Sequence, residues 1–210
     1  MSPLRLTLED DSKPGSRHCG GCTLCCKLLP MKKNADAHAE ARKLLGHPKT
    51  LPAFDKPAGA RCPHQSHHKG CTVYAVRPLA CRLWNCRWLV NNDTAELRRP
   101  DRSRYVIDIM PDYVELVDNE TGKKTAVEVV QIWVDPHHRD AWRDPALLAY
   151  IERRGKKGIA AIIRWSNRDA LTVFPPTMAQ DGQWHEYDHG TLRPEHTAQQ
   201  RFDGIARARD

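Results

Sequence analysis

Residues 19–26 read CGGCTLCC, placing Cys19, Cys22, Cys25 and Cys26 within eight positions. Hydrophobic packing has no reason to demand four cysteines in so short a run, whereas metal ligation does. On a helix turning 100° per residue the four fall at about 0°, 300°, 240° and 340°, within about 120° of one face. Gly20 and Gly21 argue against regular helix at the very start. They suit a knuckle whose bare backbone N–H groups point at sulfur and which leads into a helix, the N-terminus of which favours thiolates. Because Cys25 and Cys26 are adjacent and project about 100° apart, they need not serve the same metal.

A second group follows, with Cys62 and Cys71 flanking a histidine-bearing loop and Cys81 and Cys86 closing the set. The total of eight cysteines is the number needed for two four-cysteine zinc sites, two iron–sulfur clusters, or one of each. His64, His67 and His68 lie between two cysteines and His18 precedes the first, so each is a spare ligand for a mixed site. They read as loop residues, since enough cysteines are present without them. His137, His138, His185, His189 and His196 have no ligand-like spacing and read as surface.

The combined pattern, CxxCxxCC, a spaced cysteine, then Cys71-Thr-Val-Tyr74-Ala-Val-Arg77-Pro78-Leu-Ala-Cys81-Arg82, resembles the YkgJ-like cysteine-cluster family. Its members are described as zinc- or iron-chelating, in some cases as Fe–S oxidoreductases. The resemblance spans about Cys19 to Cys86, a third of the chain. It implies that Cys19, Cys22, Cys25, Cys26, Cys62, Cys71 and Cys81 are metal ligands and that Tyr74, Arg77 and Pro78 frame them around the cofactor; Cys86, which matches the family pattern less closely, joins the metal set through the count of eight. A flagellin-lysine methylase resembles this family in its cysteine region, but this chain lacks an obvious Gly-rich nucleotide loop. Arg77 is placed to donate N–H bonds to cluster sulfurs, with Arg82 and Arg87 in support, and Pro78 to return Cys81 toward Cys71. Trp84 and Trp88, four apart, read first as a core stripe and second as an apolar wall beside the site.

Charge is divided unevenly. Residues 1–100 carry 17 Lys/Arg against 8 Asp/Glu, net +9, while residues 101–210 carry 16 against 18, net −2. Four thiolates around Zn²⁺ or a [4Fe-4S]²⁺ core leave a charge of about −2, so anionic sites offset part of the basic half. Solvated lysines account for the rest, and nucleic acid is the less favoured partner. The opening residues lack the basic start and apolar run of a secretory signal, and no membrane span is expected, so the expected compartment is the reducing cytoplasm, where disulfides are disfavoured.

The order along the chain predicts a flexible arm over 1–17, a cysteine-cluster region over 18–100, a β-plus-helix region over 101–178 packed with it, and a polar tail over 179–210. A helix is expected from Asn34 to Leu45, capped by Asn34 and ended by Gly46. Residues 47–70 read as loop whose order depends on metal, and short helices follow from Thr72 to Val90. Tyr105–Met110, Tyr113–Asp118 and Thr125–Asp135 are Val/Ile-rich and separated by turn residues, predicting an antiparallel meander. Asp144-Pro145 starts a helix with Leu147, Leu148, Tyr150 and Ile151 on one face, and Ile159–Trp165 with Ala170–Phe174 make a further hairpin. The fold class is therefore α+β: a metal-stabilised, loop-rich, partly helical N-terminal region beside an antiparallel sheet with one or two helices.

Three functions follow. The first is a metal or iron–sulfur protein with an electron-transfer or redox-accessory role, working with a redox partner protein. The second is an Fe–S oxidoreductase or a methylase-like enzyme acting on protein lysines, although no Ser/His/Asp or paired-carboxylate spacing marks a catalytic residue. The third is a structural zinc module that docks nucleic acid or protein.

Overall fold

A computed structural model describes residues 17–33, 50–66, 69–109, 112–117, 120–175 and 185–191. The helix expected over Asn34 to Leu45, and His67, His68 and His196, lie outside the described residues.

The fold is organised on one long strand, β5 (Lys124–Val134), whose sequence KTAVEVVQIWV is exposed at its start and buried at its end. Two strands share one edge of it. β4 (Asp112–Val117) pairs antiparallel with its first half, from Val117↔Lys124 to Asp112↔Val129. β3 (Tyr105–Ile107) pairs antiparallel with its second half, from Ile107↔Ile132 to Tyr105↔Val134. The three segments expected to form a meander thus form a hairpin with an interrupted outer strand. Val and Ile content marks strands but does not say which edge each one takes.

On the other edge β6 (Ala160–Arg164) runs parallel to β5, with Val129↔Ala160 through Trp133↔Arg164. Every other pairing in the sheet is antiparallel: β6 with β7 (Asp169–Phe174), and β7 with β8 (His185–Thr191), a strand within the polar tail. A parallel step needs a crossover. Residues 135–159 supply it through a 3-10 segment, Pro136–Arg143, and helix α5, Pro145–Gly155. Burial follows, because β6 is covered along its whole length, as a parallel strand beneath a helix is. Asp144 caps α5 by accepting the Ala146 N–H at 3.1 Å, and Leu147, Tyr150 and Ile151 face the sheet. Leu148, expected on that face, is 41% exposed.

The cysteine-bearing segment is built of short pieces: α1 (Leu24–Leu28), a two-residue ladder of β1 (Gln65–Ser66) with β2 (Gly70–Cys71), α2 (Leu79–Leu83), α3 (Arg87–Val90) and α4 (Pro100–Ser103). Leu24, Leu28, Trp88 and Leu97 enter the same core as Tyr105, Ile132, Val134, Leu147, Tyr150 and Ile163. Each such side chain contributes roughly 1.5–3 kcal/mol by leaving water, so this shared core fixes α1 against the sheet. Between residues 50 and 83, by contrast, Ala53, Pro78 and Leu79 are the buried apolar side chains among the described residues. α+β is the class of the fold.

Candidate metal centre

Leu24 and Leu28, one helical turn apart, bury on the core and so fix how α1 presents Cys25 and Cys26. Cys25 packs against the core, as do Cys22 and the buried Cys86. Cys26 lies outside that cluster, and its carbonyl accepts the N–H of Cys62 at 3.1 Å. Upstream, Cys22 N–H donates to the Cys19 carbonyl at 2.8 Å, closing the expected knuckle. Gly20 sits there at φ +48°, where a side chain would be strained and would meet Arg99 Nη1 at 3.4 Å.

The second group is tied to α1 by its backbone. Cys62 C=O accepts Gln65 N–H at 3.0 Å, and Gln65 is the register partner of Cys71 in the β1–β2 ladder. The Gln65 side-chain amide donates to the Thr23 hydroxyl just before α1. Cys81 N–H donates to the Pro78 carbonyl at 2.9 Å, so Pro78 starts α2 and sets Cys81, as its fixed φ suggests.

Electrostatics separate the eight thiols into two neighbourhoods. Burial pushes Cys86 up to about 12, with Cys19 and Cys22 as the like-charged neighbours that add to it. Burial pushes Cys81 up to about 11, and there the neighbours are Cys26, Cys62 and Cys71. Cys62 is raised by burial and then by Cys26 and Cys71. Cys19 and Cys22 are also raised, by burial first. The neighbourhoods overlap: Cys26 also raises Cys19, and the adjacent Cys25 and Cys26 thiols act on each other, holding Cys25 well above the ordinary thiol value and Cys26 below it. Thiols that raise one another's pKa are poised for a cation, since a shared positive charge removes the repulsion.

Two basic residues already serve the second group. Arg77 lowers Cys19, Cys26 and Cys81 through its charge, yet its N–H groups donate to carbonyls, Nε to Cys81 O at 3.1 Å and Nη1 to Tyr74 O at 3.4 Å. Its guanidinium lies 3.9 Å from the Tyr74 ring centre, and Tyr74 is 64% exposed. Lys56 is the residue that sequence reasoning missed. Although 6% exposed, it donates to the carbonyls of Lys27, Pro57 and Ala60 at 3.3, 3.3 and 2.7 Å. Burial pulls its pKa down, while Cys62, Cys26, Cys25 and Cys81 pull it up. A buried lysine among thiols is a counter-charge, but Asp55-Lys56-Pro57 reads in sequence as an ordinary loop. Asp101, on α4, was missed too: its charge raises the Cys22 thiol pKa and its backbone N–H lowers it.

Other residues take plainer roles. Arg82 donates to the Ala75 carbonyl at 3.4 Å, and Arg87 pairs with Asp93 at 3.3 Å. Trp88 is buried with its indole N–H on the Leu97 carbonyl, and Trp84 packs on the core while donating to Asp108. His64 meets the Phe54 ring edge-on at 5.4 Å, and His18, His137 and His138 are exposed.

Among the described residues, no three Cys, His, Asp or Glu side chains form a ready-closed cage for one ion. The fit lies in the donor set: eight cysteines free of disulfides, soft ligands enough for two sets of four, interleaved with cations. Residues 18–101 match the CxxCxxCC family, whose description reads "Putative zinc- or iron-chelating domain". That segment is a CxxCxxCC domain. Metal binding is thus the general function of the CxxCxxCC domain, and residues 102–210 fall outside the match. No curated protein and no solved structure matches the chain. No helix among the described residues is long and apolar enough to cross a membrane.

Proposed function

We propose that the CxxCxxCC domain holds metal in two four-cysteine sites, Cys19/Cys22/Cys25/Cys86 and Cys26/Cys62/Cys71/Cys81, and works as an electron-transfer or redox-accessory protein. The reading is carried by the two thiol neighbourhoods, one packed on the apolar core and one tied to the Cys62–Cys71 hairpin. An iron–sulfur centre at either site would supply one-electron chemistry, and Zn²⁺ there would be structural. The chain's own residues provide the setting. Cys22, Cys25 and Cys86 lie against apolar side chains that keep water from one side. Lys56 and Arg77 place positive charge beside the other set, which favours the thiolate forms and a higher reduction potential. Cys19, exposed at the rim, is where a redox partner protein would approach the first set. Adjacency of Cys25 and Cys26 favours relay between two centres, a relationship that a purely structural zinc module does not need.

The test is iron, zinc and acid-labile sulfide per chain after anaerobic purification, with the visible spectrum. Cys25→Ser and Cys26→Ser are each expected to remove about half of the metal, since serine stays protonated and hard where a thiolate was soft. Loss of all metal in either variant would establish one shared centre, and colourless protein with stoichiometric zinc would replace the redox role with a structural one.

A further inference from the structure

Beside the cysteine sites, and using none of their ligands, the surface opens into a groove of about 610 Å³ lined by Arg98, Arg102, Arg104, Arg139 and Arg143. The carboxylates on its lining are Asp140 and Asp144, and the histidines are His137 and His138. Five guanidiniums against two carboxylates leave an excess of three, or of two when Asp169, which pairs with Arg139 at 2.7 Å, is counted. A guanidinium cannot shed its charge, so this excess persists at any ordinary pH.

The arginines are held unevenly: Arg139 is paired with Asp169 and lies over the Trp165 ring at 4.6 Å, and Arg143 lies over the Trp142 ring at 4.3 Å, whereas the remaining ion pairs are long. Arg98 to Asp144 and Arg143 to Asp140 are both 3.9 Å, the outer limit of an ion pair. Arg102 and Arg104 are exposed and make no side-chain hydrogen bond or ion pair among the described residues. Arg104 has a further peculiarity: at φ +67° it is the non-glycine residue in the left-handed region among those described. It follows α4 at the position where helices usually carry glycine. Its backbone is held there because its N–H donates to the Pro100 carbonyl at 2.8 Å and its carbonyl accepts Asp135 N–H at 2.9 Å. Glycine would meet these backbone demands without strain, so the arginine is explained by its side chain rather than its fold.

We propose that this groove binds a phosphate-bearing small molecule of nucleoside-diphosphate size. Planar guanidinium forks match phosphoryl oxygens two at a time, and several forks facing one open groove suit a ligand with adjacent anionic groups. The volume suits a small organic ligand. Both walls connect to the cysteine sites. Asp101, in the helix that carries Arg102, acts on the Cys22 thiol through its charge and its backbone N–H. Asp135, which opens the 3-10 segment of the other wall, is paired with Lys27, the residue after Cys26. A ligand that draws the walls together therefore acts on both thiol neighbourhoods.

The experiment is isothermal titration of the full, metal-loaded chain with ADP, with adenosine and a single-stranded oligonucleotide as separate titrants and metal content measured before and after. ADP is expected to bind once per chain, to be displaced by inorganic pyrophosphate, and to leave adenosine without heat. Arg104→Gly keeps the left-handed backbone and is expected to retain or gain thermal stability while weakening ADP about tenfold or more, as is Arg102→Ala. Lys157→Ala, outside the groove, should leave affinity unchanged. The proposal is overturned if ADP gives no heat, if adenosine binds equally well, or if both arginine variants bind like the parent chain. It is likewise overturned if only the oligonucleotide binds, which would mark a diffuse basic face instead of a site.

Discussion

Lys27 Nζ lies 2.7 and 2.8 Å from the two carboxylate oxygens of Asp135, joining the cysteine helix to the end of β5. The Asp135 side chain is 3% exposed, and its Oδ1 also accepts the His137 N–H at 3.0 Å, which starts the crossover. One carboxylate thus fastens two segments whose sequence separation is more than 100 residues. Burial pushes the Asp135 pKa up, but the Lys27 hydrogen bond, the His137 N–H and the Lys27 charge outweigh it, and the net shift is downward.

Asp135→Asn keeps the shape and loses the charge, leaving Lys27 with a weaker partner. The expected loss of stability at neutral pH is about 1–3 kcal/mol. The sign with pH follows from the direction of the shift. A carboxyl held below its ordinary value of about 4 stabilises the fold above that value and ceases to do so as pH falls through the folded-state pKa. Denaturant melts of both proteins from pH 7 downward should therefore converge in acid. A gap that stayed constant would show that the carboxylate charge contributes nothing.

Arg77→Ala removes a charge beside Cys26 and Cys81 and two hydrogen bonds to carbonyls, but no ligand. Outer partners of this kind are worth about 10- to 100-fold in metal affinity, so metal should remain bound at ordinary concentrations and leave faster to a competing chelator. Cys71→Ser, in parallel, should lose the metal of its own site, about half of the chain's total. Equal occupancy in both variants would remove Cys71 from the ligand set.

The metal-binding character of the segment was legible because four thiols in eight residues have no packing explanation, and the roughly 100° between adjacent Cys25 and Cys26 anticipated that one packs on the core while the other lies outside it. The α5 helix was legible from Asp144-Pro145 and its apolar face, and Leu148 was misplaced because a stripe's edge cannot be told from its centre by spacing alone. Strand pairing was less readable. β3 and β4 share one edge of β5, and the β5–β6 step is parallel; both are settled by the long helical connection and by burial, which alternation does not encode. Lys56 was invisible because its burial depends on the Met31–Lys56 backbone bridge, a contact between two loops.

Removal of metal should loosen the chain unevenly. Residues 50–83 bury only Ala53, Pro78 and Leu79 as apolar side chains among the described residues, whereas β3, β5, β6 and α5 share a continuous apolar core. Metal binding energy substitutes for a core in the first region and not in the second. Treatment with strong chelator should open protease sites between residues 50 and 83 while β5, β6 and α5 keep their hydrogen-exchange protection. Unchanged cleavage after verified metal loss would show that this segment folds without metal.

Lys56 separates two roles that a single substitution would confuse. Its ammonium satisfies three carbonyls, those of Lys27, Pro57 and Ala60, and it also sets a positive charge among Cys25, Cys26, Cys62 and Cys81. Lys56→Met keeps the stem and removes donors and charge together, stranding buried acceptors at about 1–3 kcal/mol each where water cannot reach them. Lys56→Gln restores amide donors without charge. If the donors hold the loops in place, the glutamine variant should recover much of the thermal stability that the methionine variant loses. If the charge supports the thiolates, neither variant should recover metal retention, and both should yield metal to a chelator about 10- to 100-fold more readily than the parent. The paired measurement is melting temperature beside the rate of metal transfer to chelator for all three proteins. Parent-like transfer in both variants would confine Lys56 to the loops, and parent-like melting in Lys56→Met would confine it to the thiolates.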